Sequence, residues 1–308
     1  MDVSQRQGRY PVPAQAPKTL GVEFSGVVEA LGGGGGDGKE EEAGYKVGDE
    51  VFGLAYGGAY AEYVSVSTRT LLHKPAHLSF TSAAAVPEAW MTATQALFSV
   101  GRLTAGKSVL LHAGGSGVSM AGIQLARAAG AAAVYVTAGT DEKCAFATRE
   151  LGADAAINYR ANPDWHVAIR ELEAKRRGTS PADPAAGVDV LVDYIGPDYL
   201  QRNVDVATRD GTIVLLSLLG GPKLKEGQGL DMSGVLLKRL RIEGSTLRSR
   251  SEEYQGQLRD KLQEYLSDFE SGKFRVVVDS VVPWQQIVEA HQHMEANKNM
   301  GKIVCTIG

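Results

Sequence analysis

Gly114, Gly115 and Gly117 fall inside the run Val-Leu-Leu-His-Ala-Gly-Gly-Ser-Gly-Val-Ser at 109–119, a spacing suited to holding a pyrophosphate. Val109, Leu110 and Leu111 form a short apolar run with strand character. The glycines allow a tight turn and close backbone approach. Beyond them Val118, Ala121, Gly122, Leu125, Ala126 and Ala129 keep the i, i+3, i+4 spacing of a helix laid on a sheet. The unpaired amides and positive dipole end of that helix would face phosphate oxygens. Glycines alone also describe an ordinary strand–turn–helix. The dinucleotide reading gains from a second β-rich run, 133–137, which follows at βαβ distance and ends in Gly139-Thr140.

The end of that second strand chooses between the two nicotinamide cofactors. An acid roughly 20 residues past the glycine turn would bond the ribose hydroxyls of NAD. Here Ala138-Gly139-Thr140 carries no acid, Asp141 opens the next helix, and Lys143 follows. A hydroxyl at Thr140 and an ammonium at Lys143 suit a 2′-phosphate, which points to NADPH; a solvated helix lysine is the alternative for Lys143. Tyr159, closing the third strand, either lies on the adenosine side or is a half-buried strand-end tyrosine.

Other chemistries find little support. The two cysteines, Cys144 and Cys305, are far apart in sequence and supply neither a structural nor a catalytic zinc set. Reduced thiols in a cytoplasmic protein fit them better. His73 and His77 flank Pro75 as loop residues, and His291 and His293 are two apart on a predicted helix, on different faces. Gly115-Ser116-Gly117 is not a nucleophile elbow. A hydride acceptor that needs no Lewis acid is therefore expected: quinones and activated alkenes carry their own electron sink. The net charge of −4 and the lack of a basic stripe argue against nucleic acid. No apolar stretch approaches the ~20 residues that cross a bilayer, and the first residues form no secretory signal.

These residues need a scaffold of two domains, which 308 residues allow. Residues 20–75 read as all-β, with alternating runs at 22–29 and 59–66 and a strand over 46–52. Gly32 to Gly36 and the acidic residues after them read as a solvated loop insertion. A helix over 81–100 can be capped by Thr81 or Ser82 and breaks at Pro87. Strand-like runs at 109–112, 133–137, 155–158, 188–193, 212–218 and 240–246 alternate with helices at 118–129, 141–151, 164–176, 198–207 and 231–238. That alternation predicts an α/β, doubly wound parallel sheet. The tail suggests a helix at 253–271, a strand at 274–278, a helix at 284–296 and a last strand at 302–307. The boundaries predicted are 1–88 with 248–308 for the β-rich domain and 89–247 for the dinucleotide-binding one.

With these motifs in place the chain resembles the zinc-independent quinone oxidoreductases of the medium-chain dehydrogenase/reductase superfamily, nearest their tumour-suppressor-inducible branch. The resemblance is carried by 5–11, 20–26, Pro87-Glu88-Ala89-Trp90 within 83–90, 136–140 and 294–304. It implies a GroES-like catalytic domain built from both chain ends, a Rossmann domain between them, NADPH-dependent reduction of quinones or enones, and a homodimer formed through Rossmann sheet edges. It places Ser116, Gly117 and Val118 over the pyrophosphate, with Gly139, Thr140, Lys143 and Tyr159 at the adenosine phosphate. It lines the nicotinamide half with Ile195, Gly196, Leu219, Leu247 and Arg248, closed over by Asn299 and Lys302. Tyr10 matches a substrate-cleft tyrosine, the alternative being a turn aromatic packed on Pro11 and Pro13; Trp90, Met91 and Thr92 match the cleft floor, and Tyr10 and Thr92 are the catalytic candidates. Two departures stand out. Ser119 replaces the last glycine of the turn, and the chain begins inside the first family motif, which implies a GroES-like barrel incomplete at its N-terminus. Two rivals remain: an enoyl-thioester reductase, and a non-catalytic NADPH-binding protein.

Overall fold

The computed structural model describes residues 1–32 and 44–307, so most of the glycine-rich insertion foreseen after residue 32 lies outside the described residues. The chain divides into two compact units, Met1–Met91 with Leu247–Gly308 and Thr92–Thr246.

The first unit opens with α1 (Asp2–Arg6), a helix without buried residues or a side-chain cap, which is why no periodic pattern announces it. Strands β1 (Glu23–Val27), β2 (Glu50–Leu54) and β3 (Leu71–His73) form an antiparallel sheet in that order. Val51 and Leu71 pack there with Tyr45, Phe24 and Val66. The strand foreseen from 46 starts only at Glu50. Residues 46–49 form a turn, with Gly48 at φ +92° and the Lys46 amide donating to Asp49 Oδ2 at 2.9 Å. The alternating run 59–66 is not a strand: Ala59 and Tyr60 donate to Gly21 and Leu20, and among the described residues no backbone bond ties 61–66 to a neighbour. Alternation marks a half-buried ribbon, but a ladder also needs a partner edge.

The helix foreseen over 81–100 is in three pieces: α2 (Phe80–Ala84), α3 (Pro87–Thr94) and a wider π-type turn over Gln95–Val100. Its cap is Ser79, whose Oγ accepts from the Ser82 amide at 3.1 Å. Thr81 and Ser82 lie inside the first turn, two and three positions past the cap. Pro87 stands at the predicted break.

The second unit runs β4 (Ser108–Leu111), α4 (Gly117–Ala128), β5 (Ala133–Ala138), α5 (Asp141–Arg149), β6 (Ala155–Asn158), α6 (Trp165–Arg177), β7 (Val188–Asp193), α7 (Pro197–Val206), β8 (Ala207–Leu215), α8 (Met232–Leu237) and β9 (Arg241–Gly244). Its six strands are all parallel, in the order β6-β5-β4-β7-β8-β9. The chain winds outward from β4 one way and from β7 the other, so the switch point, where α/β sheets bind ligands, lies between β4 and β7. Every residue of β4 and β5 is buried, as in strands covered on both faces. Leu110, Tyr135, Trp165, Ile169, Leu191 and Ile213 form the heart of one core cluster. β8 starts earlier than the run 212–218 suggests, because Ala207 already pairs with Val188 before an irregularity around Asp210, at φ +63°.

The tail returns to the first unit with α9 (Glu252–Glu264), α10 (Leu266–Glu270), β10 (Val278–Pro283), α11 (Ile287–Glu295) and β11 (Lys302–Thr306), the two strands pairing in parallel. The strand foreseen at 274–278 is displaced to β10. Phe274 is buried, 4.9 Å from Trp90 and 5.8 Å from Phe269 between ring centroids, and serves side-chain packing rather than a ladder.

Candidate functional site

The glycine turn of the second unit lies at the carboxyl end of β4. Ala113 takes φ +50°, and a Cβ on Gly114 would stand 2.2 Å from Val136 Cγ1. That is closer than carbon atoms approach without a shift, so only glycine lets the backbone lie this near β5. The Ser116 hydroxyl caps α4 by accepting from the Ser119 amide at 3.2 Å. Gly117 and Val118 form the first turn, whose amides have no partner within the helix. Ser119, the departure from the glycine pattern, is fully buried, and its hydroxyl donates to His112 O at 2.6 Å. Close helix–strand contact passes to Gly122, whose Cβ would meet Leu111 at 3.1 Å.

Lys143 comes to this turn from α5, while Tyr159, past the end of β6, meets Gly139, past the end of β5. The Lys143 ammonium lies 3.3 Å from the position a Cβ would take on Gly115, and Tyr159 Oη lies 2.8 Å from the corresponding position on Gly139. Thr140 Oγ1 caps α5 by accepting from the Lys143 amide at 3.2 Å, which uses an oxygen lone pair and not the hydroxyl proton. Asp141, the nearest acid, accepts from Asn158 Nδ2 at 2.8 Å. Arg160 also belongs here, its Nε 3.5 Å from the Gly139 Cβ position; the sequence reading stopped at Tyr159, one residue short.

Ile195, Gly196 and Leu219 meet past β7 and β8. The Leu219 amide donates to Tyr194 O at 2.9 Å and the Gly220 amide to Ile195 O at 3.0 Å. Gly196 takes φ +88° ahead of α7. Thr92, in α3, is half-buried within the same unit.

Tyr10, Leu247, Arg248, Asn299 and Lys302 belong to the first unit. Arg248 is 2 % exposed; its Nε donates to Tyr56 O at 2.6 Å, Nη1 donates to Gln5 Oε1 at 2.5 Å, and its guanidinium lies 5.6 Å from the Tyr10 ring centroid. Leu247 is buried, and Asn299 Nδ2 donates to Gly301 O at 2.9 Å. Lys302 is ion-paired with Glu23, whose second oxygen accepts from the Glu88 amide at 2.9 Å. Burial, then the Glu23 charge, push the Glu88 carboxyl up to about 7, while Lys302 pulls it back. Burial raises the Tyr10 phenol as well, Glu88 adding to the rise and Arg248 opposing it. The carboxyl pair Glu23 and Glu88 was missed in the sequence because burial, not spacing, gives it its character.

A dinucleotide fits the second unit on these observations: a turn that glycine at 114 lets lie close against β5, an open helix N-terminus, and a cation beside the turn at Gly115. Zinc does not fit the described residues, among which no group of three or more His, Cys, Asp or Glu could hold a metal ion.

Comparison with known proteins agrees with this scaffold. Residues 117–264 match the family described as zinc-binding dehydrogenase and residues 1–76 the alcohol dehydrogenase GroES-like domain. A quinone oxidoreductase of Lama guanicoe is 27 % identical over 99 % of this chain and 84 % of its own length. The crystal structure of an NAD-dependent alcohol dehydrogenase is similar with a TM-score of 0.80 and 30 % identity, covering 100 % of this chain and 88 % of that one. The JamJ enoyl reductase gives 0.74 and 26 % over 94 % and 79 %. A mycobacterial protein complexed with NADPH gives 0.77 and 26 % over 93 % and 82 %. The chain belongs to the medium-chain dehydrogenase/reductase superfamily, with a GroES-like unit and a Rossmann unit, and is an NAD(P)-dependent oxidoreductase.

Proposed function

We propose that this protein is an NADPH-preferring reductase that passes a hydride to quinones or activated alkenes. The observation that carries the reading is the Lys143 ammonium beside Gly115, together with the lack of an acid at 138–140 and the engagement of Asp141 with Asn158. A 2′-phosphate there meets a cation, whereas a free 2′-hydroxyl finds no carboxylate at 138–140 to accept a hydrogen bond from it. A bound reduced nicotinamide supplies the hydride. The chain's own residues bind and orient: the α4 amides and Ser116 hold the pyrophosphate, and Gly139, Thr140, Lys143 and Tyr159 hold the adenosine end. In the second unit Ile195, Gly196 and Leu219 serve the nicotinamide half, and the family resemblance adds Leu247, Arg248, Asn299 and Lys302 of the first as candidates. Tyr10 keeps its proton, since burial raises its phenol, and can donate a hydrogen bond to a substrate carbonyl, a role shared by the Thr92 hydroxyl.

The likeness to an enoyl reductase favours a second reading, reduction of enoyl thioesters. Oxidation of NADPH followed with 1,2-naphthoquinone and with a crotonyl thioester separates the two. Turnover on the quinone, diminished in Tyr10→Phe, is expected. Turnover on the thioester alone would establish the second reading, and tight NADPH binding with neither substrate reduced would leave a non-catalytic binding protein.

A further inference from the structure

A buried chain of hydrogen bonds crosses the second unit beneath the switch point, and only His112 of it lies within the glycine motif in sequence. His112, Thr137, Asp193 and Asn203 are each at most 1 % exposed. His112 Nδ1 lies 2.8 Å from Thr137 Oγ1 at the end of β5, and Nε2 lies 2.8 Å from Asn203 Oδ1 on α7. Asn203 Nδ2 donates to Asp193 Oδ2 at 2.9 Å. The other carboxylate oxygen, Oδ1, accepts from the amides of Ile195 at 2.6 Å and Gly196 at 3.2 Å.

The polarity of this chain follows from the ionised form of Asp193, which burial disfavours and the Ile195, Gly196 and Asn203 donors favour. An ionised aspartate only accepts, so Asn203 must turn its amide nitrogen to Asp193 and its carbonyl to His112. His112 therefore carries its proton on Nε2, and its Nδ1 accepts from Thr137. Burial lowers the basicity of His112, which agrees with a neutral ring. The same residues are tied to the phosphate turn: Ser119 donates to His112 O at 2.6 Å, and the Gly114 amide donates to Thr137 O at 2.9 Å. One network thus fixes the glycine turn at β4, the adenosine-side strand β5 and the segment after β7 that holds Ile195 and Gly196.

We propose that His112, Asn203 and Asp193 are positioning residues of the dinucleotide site, holding the 195–196 segment at a set distance from the phosphate turn so that the nicotinamide half is seated for hydride transfer. The proposal rests on the dinucleotide reading of this unit. A structural role alone would weaken all binding together. A positioning role weakens what reaches past β7 and spares what stays at β5 and β6.

The test compares NADPH with adenosine 2′,5′-bisphosphate, which carries only the adenosine end, by fluorescence or calorimetric titration of the full chain. In Asp193→Asn the new amide must keep its oxygen for the Ile195 and Gly196 amides, so its nitrogen faces the Asn203 nitrogen, and relief requires Asn203 to turn over and His112 to move its proton to Nδ1, against Thr137. The expected result is NADPH affinity reduced about tenfold and bisphosphate affinity held within about twofold. Adding Asn203→Asp restores donor-to-acceptor order, since the carboxylate introduced there accepts both from the amide introduced at position 193 and from His112, and should return the NADPH affinity. If Asp193→Asn shows no cooperative melt, Asn203→Ala, which leaves Asp193 its two backbone donors, is expected to show the same selective loss. Equal weakening of both ligands, no weakening of either, or a folded double variant no better than the single one overturns the proposal. A parent protein that binds neither ligand overturns the dinucleotide reading itself.

Discussion

At the scale of single residues, the groups that carry most information are those whose surroundings change their chemistry. Glu88 has an ordinary carboxyl value of 4.5 and sits near 7 in the folded protein, chiefly through burial. The folded state therefore holds a proton that the unfolded chain has released, and the stability this contributes is complete below 4.5 and lost as pH rises through about 7. Thermal melts should show a falling midpoint across that window. Glu88→Gln should flatten the fall and, above it, be about 1–3 kcal/mol more stable than the parent. An unchanged pH profile in the variant would show that Glu88 is not the group responsible. Lys143 and Gly139 were singled out in the sequence by type and spacing, and folding sets Lys143 beside Gly115 and Tyr159 beside Gly139. Glu88, Asp193 and Asn203 were not legible there, since an acid or amide acquires its role from neighbours that only folding supplies.

At the scale of elements, the glycine turn offers a contrast between two adjacent positions. Gly114→Ala must drive a methyl against Val136 of a fully buried strand, so it should lose about 1–3 kcal/mol of stability and NADPH binding together. A Cβ on Gly115 meets first the Lys143 aliphatic chain, at 2.8 Å from Cδ, which can swing aside. Gly115→Ala should therefore melt like the parent and yet bind NADPH more weakly, because the displaced side chain carries the cation. Melting curves paired with titrations check both, and a Gly114→Ala protein with parental stability and binding would contradict the cradle. The βα repeat of this unit was readable because each strand is a buried apolar run and each helix keeps its period. The first unit was less readable: 59–66 alternates as a strand should, but its hydrogen bonds go to Leu20 and Gly21 instead of a ladder. Likewise 46–49 has strand-forming neighbours but folds around Gly48.

At the scale of the whole molecule, β9 closes the parallel sheet with every residue exposed, and the preceding α8 exposes Met232, Leu236 and Leu237. An edge strand with open amides and carbonyls beside apolar side chains is a surface that a second copy can cover by two-fold pairing. Light scattering should give twice the chain mass, and Leu236→Glu combined with Leu237→Glu should give the single chain mass. A monomeric parent would refute the dimer without touching the cofactor site. No helix among the described residues is long and apolar enough to cross a membrane.

The preference for NADPH rests most directly on Lys143. Titration of the protein with NADPH and with NADH, repeated on Lys143→Glu, tests this in one experiment. One charge-assisted hydrogen bond to the 2′-phosphate corresponds to about ten- to a hundredfold in affinity. The parent should prefer NADPH by that factor, and Lys143→Glu should erase or reverse the preference. Equal binding of NADPH and NADH by the parent, or a preference unmoved by Lys143→Glu, would contradict it.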